Sequence, residues 1–428
     1  MTKHHQWLAQ QLPEWVEQAI ISESQAEVLR QRYPIRDSVN LGRLLITGIA
    51  AMMIGLGVIL LFAYNWSEMG RFTKLAVIFV ALIGAHGLAF YLHPRHHVYS
   101  ESLFALGTML MGAGIFLVAQ IYHLDSHYPN AFLFWSLGAL ALAWALPSLT
   151  QAFLTVVLVI GWHLFEVFDF HFANYWAFFI VLLGVMPLLW RLQSPVLARL
   201  TAIGLFLTLA FSLSVADEDL VVATLLLMAL TLIALARFGE FAKADALRAL
   251  SGAVAGPAVL VLVGIMYLMT FGDVIPELLD IEFEHPVPAS YFVGTLVVSQ
   301  AAFFGLLYLR RLNGLLWLSE LTVVLALLPS VIAWVSGQDR VDTAADIVAL
   351  SLNLVLLALS VWMMIDGARH ANRRHMVQGS ILFALLAVAR YTDLFESLIA
   401  RALVFLLVGA ALFAVSHFYQ RNKKQVAA

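Results

Sequence analysis

The sequence has no cysteine, which excludes a disulfide scaffold, a thiolate metal site and thiol chemistry. Charge is scarce too. Asp, Glu, Lys and Arg make up 12% of the 428 residues, where a soluble chain carries about 25%. Short apolar–polar alternation of about ten residues is missing, so the chain is not a membrane barrel. No phosphate-cradling loop stands between a strand and a helix, because Gly55-Leu56-Gly57 lies inside an apolar run. No serine occupies a nucleophile motif with a base beside it. The residues therefore point to no enzyme, no cofactor and no nucleic-acid partner.

What the chain has is hydrocarbon. Hydrophobic residues make up 62% of it and mean hydropathy is +0.89. A soluble domain lacks the interior to hide so much apolar surface. The expected fold class is all-α: a polytopic helical integral membrane protein. About 20 residues at about 1.5 Å each cross a hydrocarbon core of about 30 Å. Runs of that kind fall near 41–64, 72–92, 102–122, 131–147, 150–168, 175–190, 197–215, 220–237, 250–271, 290–309, 315–335, 346–366, 376–390 and 399–419. That makes about 14 transmembrane helices within a bundle over 41–419. The fused stretch 131–168, split only by Pro147 and Ser148, is the weakest division.

The first forty residues are polar and mixed in charge, unlike a cleavable signal peptide. They read as a short cytosolic helical hairpin. Pro13 interrupts a first amphipathic stretch, and Trp15, Val16, Ala19 and Ile20 share a face. Ser22 and Gln25 form a capping box for a second helix, with Ala26, Val28 and Leu29 on its apolar side. Pro34 stops it. Either this head simply packs at the membrane surface or it binds a protein partner.

Loop charge sets the orientation, since short cytoplasmic loops gather Lys and Arg. With fourteen alternating helices and an inside start, 19 of the 24 basic residues fall inside. The exceptions are Arg71, Lys74, Arg340, Arg390 and Arg401. Acids gather outside, as in Asp217-Glu218-Asp219. Both termini are thus expected on the cytoplasmic side, the tail 420–428 acting as a basic anchor beside lipid headgroups.

Met53-Ile54-Gly55-Leu56-Gly57-Val58 is similar to Met111-Gly112-Ala113-Gly114-Ile115-Phe116, and each run leads to a polar-aromatic end. A repeated two-helix hairpin at 41–92 and 102–147 explains this, and so does convergent packing of small residues. Several segments resemble a family of uncharacterised bacterial membrane proteins, domain of unknown function 2157. They are Leu12-Pro13-Glu14-Trp15 through Ser22, with Ala19 where the family often has glycine; Gly55-Leu56-Gly57 leading to Asn65-Trp66; Gly112-Ala113-Gly114 leading to Gln120-Ile121-Tyr122-His123; and Ala389-Arg390-Tyr391-Thr392-Asp393. The resemblance implies a bacterial cytoplasmic (inner) membrane and a multi-pass architecture, but no activity.

Ionisable groups in hydrocarbon mark candidate sites. No Asp or Glu falls within roughly 6 Å of the expected midplane. Glu320 and Asp366 lie nearer the cytoplasmic ends, Glu166 nearer the outer end. His86, His163, Gln300 and Asn353 are the deepest polar residues. That pattern argues against a carboxylate-driven pump. The outer side carries the densest polar set: Asn65, Trp66, Gln120, Tyr122, His123, Asp125, His163, Glu166, Arg390 and Asp393. It reads as a solute cavity or a structural cluster. His163 and Glu166 share a helical face, and Arg390 and Asp393 can pair within one helix. His123, His127, His163, Glu166 and His171 include metal-ligand types, but without a tight ligand motif. Two functional classes follow. One is a transport-like protein moving a small or amphipathic solute through an outward-opening polar cavity. The other is a non-transporting sensor or assembly module.

Overall fold

The computed structural model describes residues 2–32, 69–123, 127–241, 245–272, 274–275, 286–336, 341–370 and 372–393, with isolated positions between 46 and 57 and between 406 and 413. Among these residues no strand forms. Two helices open the chain, α1 (Thr2–Glu17) and α2 (Glu23–Arg32). Then follow α3 (Arg71–Leu92), α4 (His97–Tyr122), α5 (Pro129–Ala145), α6 (Leu149–Phe170) and α7 (Tyr175–Leu192). Next come α8 (Pro195–Ala216), α9 (Asp219–Glu240), α10 (Asp245–Leu268), α11 (Pro286–Tyr308), α12 (Gly314–Ser336), α13 (Val341–Arg369) and α14 (Arg373–Asp393). Among the described residues ten helices are long and apolar enough to cross a membrane. The apolar α5 is shorter, at 17 residues. α14 opens on the polar Arg373, Arg374 and His375. The expected runs 41–64 and 399–419 lie outside the described residues except for isolated positions.

The capping box forms: the Gln25 amide donates to Ser22 Oγ at 3.3 Å, and the Ser22 amide donates to Gln25 Oε1 at 2.9 Å. Pro13 does not interrupt α1, which runs through it. The proposed face of Trp15, Val16, Ala19 and Ile20 does not extend past the helix end. Ala19 takes a left-handed backbone (φ 54°), and the Ile20 amide bonds back to the Trp15 carbonyl. This is a helix stop that glycine fills without strain. Ile20 consequently points away and is exposed, as is Val28 on α2.

The chain divides into two compact units, residues 1–158 and 159–428, the division falling inside α6. In the first unit, glycines set the distances between helices. A methyl group at Gly107 would strike the His86 ring, one at Gly112 the Trp135 indole, and one at Gly138 the end of Met111. At Gly114 it would sit 2.9 Å from Ile78 Cγ2. Lipid is as apolar as leucine, so such close packing replaces the hydrophobic drive that brings helices together in water. Pro147 and Ser148 do separate α5 from α6. Ser148 caps α6, accepting the Gln151 amide at 3.2 Å on Oγ and the Ala152 amide on its carbonyl.

The core of the second unit runs along α9, where Leu220, Leu226, Leu227, Leu230 and Ile233 are buried among α8, α10, α11 and α12. α13 and α14 pack closely, because Gly367 and Gly379 let backbone meet backbone. α7 departs from the expected uniform helix. Ile180–Val185 is a π stretch, and the Met186 amide reaches the Val181 carbonyl. Pro187 brings no amide to the next turn, so the helix widens ahead of it.

Candidate functional site

α3, α4 and α5 line a half-open cavity of about 400 Å³ in the first unit. Its walls are apolar: Ile78 and Leu82 from α3, Leu110, Met111 and Ile115 from α4, Ala131 and Phe134 from α5. Its polar edge is His127, Tyr128 and Asn130, at the start of α5. The sequence places that edge by helix-end chemistry. His123 takes a left-handed backbone (φ 51°) that stops α4, and Pro129 opens α5, where its fixed φ suits the first turn. The lining extends about ten residues down α3 and α4 from that edge. The space suits roughly a dozen methylene-sized groups. Apolar walls beneath a polar rim fit an amphipathic molecule, not a hydrated ion.

Gln120, Tyr122 and His123 are exposed at the end of α4 and do not line this cavity. Asn65, Trp66 and Asp125 lie outside the described residues. Arg390 and Asp393 belong to the helical stretch of α14, and their side chains lie outside the description.

A second polar feature of the first unit went unread in the sequence. Glu101 is buried on α4, and Ser148 Oγ donates to its Oε2 at 2.6 Å. His97 Nδ1 stands 4.0 Å from its other oxygen. Two turns further along α4, Thr108 Oγ1 donates to Gln151 Oε1 at 2.7 Å, and Trp135 Nε1 donates to the Thr108 carbonyl at 2.6 Å. The carboxylate thus sits over the amino-terminal end of α6, where the helix dipole and the capping hydroxyl favour negative charge. These hydrogen bonds tie α4, α5 and α6 together, while Glu101 Oε1 and Gln151 Nε2 are buried with no hydrogen-bond partner among the described residues.

In the second unit, His163 and Glu166 share a buried face of α6, as expected. Glu166 is held within its own helix, accepting Trp162 Nε1 at 2.9 Å. The His163 ring is fully buried, faces the Asn174 backbone and completes no hydrogen bond of ordinary geometry. His171 is exposed in a left-handed turn (φ 50°) that ends α6. Among the described residues no three His, Asp or Glu side chains stand close enough to hold a metal ion. Of the other deep residues noted in the sequence, His86 bonds through Nδ1 to the Leu82 carbonyl within its own helix at 3.0 Å. Gln300 Nε2 donates to Glu320 Oε2 at 3.3 Å, and Asn353 Nδ2 donates to the Thr270 carbonyl at 3.0 Å. Asp366 accepts from His375 at 2.9 Å across the α13–α14 turn.

Residues 13–152 match the family described as "Predicted membrane protein (DUF2157)". No curated protein and no solved structure matches the chain. The DUF2157 match covers about a third of the chain and contains both the cavity and the Glu101 network. The Ala389–Asp393 segment lies beyond the DUF2157 match. One signal pointed to Glu101: His97 and Glu101 are four residues apart, a spacing that puts them on one helical face.

Proposed function

We propose that this membrane protein binds an amphipathic, chain-bearing molecule in the α3–α4–α5 cavity and moves it in transport-like fashion, without enzymatic chemistry. The observation that carries the reading is the cavity itself: apolar walls under the His127, Tyr128 and Asn130 rim. The architecture we propose for it has fourteen membrane helices with both termini cytoplasmic, in the bacterial inner membrane. Ten helices long and apolar enough to span, and the sorting of basic residues to one side, support that arrangement. In this orientation the rim faces outward.

A chain leaving the bilayer for an apolar cavity gains little from hydrophobicity. Affinity must come from close packing and from the rim meeting a headgroup. Ala131 lies on the wall, so Ala131→Trp should fill the space. We expect it to weaken binding of a spin-labelled lysophospholipid to the purified full chain about 100-fold, or about 2.7 kcal/mol. Asn130→Ala should cost about 1 kcal/mol, one lost hydrogen bond. Electron paramagnetic resonance of the immobilised fraction measures both. Equal immobilisation by wild type and Ala131→Trp would refute the reading. A second reading, a non-transporting sensor or assembly module, draws on the polar groups that tie helices to one another, Ser148 to Glu101 and Thr108 to Gln151, as structural links. It predicts binding with no movement across the bilayer of a reconstituted liposome.

A further inference from the structure

The ends of α9 and α11 meet although they are far apart in sequence. Arg237 Nε donates to the Arg311 carbonyl at 2.9 Å. The two guanidinium groups share one aromatic ring: the central carbon of Arg237 lies 4.6 Å from the Phe241 ring centre and that of Arg311 lies 4.3 Å from it. Helix-end geometry fixes the second arginine. Arg310 takes a left-handed backbone (φ 53°), and the Arg311 amide bonds back to the Leu306 carbonyl at 2.9 Å. Glu240 pairs with Arg237. Among the described residues no carboxylate pairs with Arg311.

Two like charges on one ring repel, and a single carboxylate offsets only one of them. The excess matters at a membrane boundary, where the dielectric falls. A guanidinium group presents a planar donor fork that matches phosphate oxygens; Arg237 has its Nε and Nη1 engaged by the Arg311 carbonyl and Glu240, so Arg311 supplies the fork and Arg237 adds charge beside it. The apolar surface beside them fixes what carries the phosphate. Phe238, Leu309 and Tyr308 are all exposed at this end of the bundle. A free phosphate has no use for that surface, whereas a phospholipid lays its chains there. We propose that Arg237, Arg311 and Phe241 form a binding site for the headgroup of an anionic phospholipid. The site lies in the second unit and does not depend on the cavity reading.

Native mass spectrometry of the full chain, released from micelles containing phosphatidylglycerol or phosphatidylcholine, tests it. Wild type should retain phosphatidylglycerol, and retain it in preference to phosphatidylcholine. The double variant Arg237→Gln/Arg311→Gln should lose about tenfold in retained phosphatidylglycerol. The milder Arg311→Lys keeps the charge but not the fork and should fall between the two, which preserves the test if the double variant fails to fold. Inorganic phosphate at millimolar concentration should not displace the lipid. Retention unchanged in the variants, equal retention of phosphatidylcholine, or displacement by inorganic phosphate would each overturn the proposal.

Discussion

Leucine in place of Gly379 should drive α13 and α14 apart and cost about 3 kcal/mol, the upper end for overpacking a tight contact. The reason lies in what the new side chain would meet. A methyl group at this position sits 2.7 Å from the Ser360 carbonyl oxygen and 2.9 Å from the Met364 amide nitrogen. These are backbone atoms of the facing helix, so no rotamer change relieves the clash; the helix itself must move. Gly367 makes the same approach to Met376 from the other helix. Gly264 supplies the comparison. It lies within α10 with nothing within 4 Å of its absent side chain. Gly264→Ala should therefore be neutral or stabilise by up to about 1 kcal/mol, since alanine is the better helix former. Unfolding of the purified protein in mixed micelles should separate the two variants clearly. Equal stability would mean that α13 and α14 are not packed as described.

Removing the Glu101 carboxyl should be the most damaging single change in the first unit. Glu101→Ala deprives the Ser148 hydroxyl of its acceptor and leaves the amino-terminal end of α6 without its facing negative charge. The expected loss is about 2–3 kcal/mol, in line with a buried hydrogen bond to a charged group. Glu101→Gln keeps a carbonyl oxygen for Ser148 and should lose only about 1 kcal/mol. The same unfolding measurement decides. A Gln variant as weak as the Ala variant would show that the charge, not the hydrogen bond, holds α6. An Ala variant as stable as wild type would remove Glu101 from the account of the fold.

The helical membrane class was legible because about twenty apolar residues in a row admit few other structures. The Ser22–Gln25 cap was legible because both partners lie within four residues of each other. Glu101 was hidden by a boundary. The apolar run begins at Ser102, while α4 begins at His97, so a polar first turn carries the carboxylate into the bundle. Polar residues at a helix start look like loop in a hydropathy reading, though they bond to a neighbouring helix. Pro13 misled for a related reason: proline disfavours a helix interior without forbidding it. The π stretch in α7 arises from one missing amide at Pro187, too local a cause to change the apolar pattern. The cavity had no sequence signature at all. It exists only where Gly114, Ala131 and three helices come together, and its rim residues Tyr128 and Asn130 attract no notice as isolated loop positions. The polar residues that did attract notice, Gln120, Tyr122 and His123, sit at the end of α4 and are exposed.

The absence of cysteine makes the decisive measurement direct, because any introduced thiol is unique in the chain. Asn130→Cys puts that thiol on the rim of the cavity. A membrane-impermeant maleimide added to intact cells should label it from outside, and prior addition of a lysophospholipid should block the labelling. Labelling only after the membrane is opened would reverse the orientation, and labelling that the lysophospholipid leaves untouched would contradict an amphiphile held under that rim.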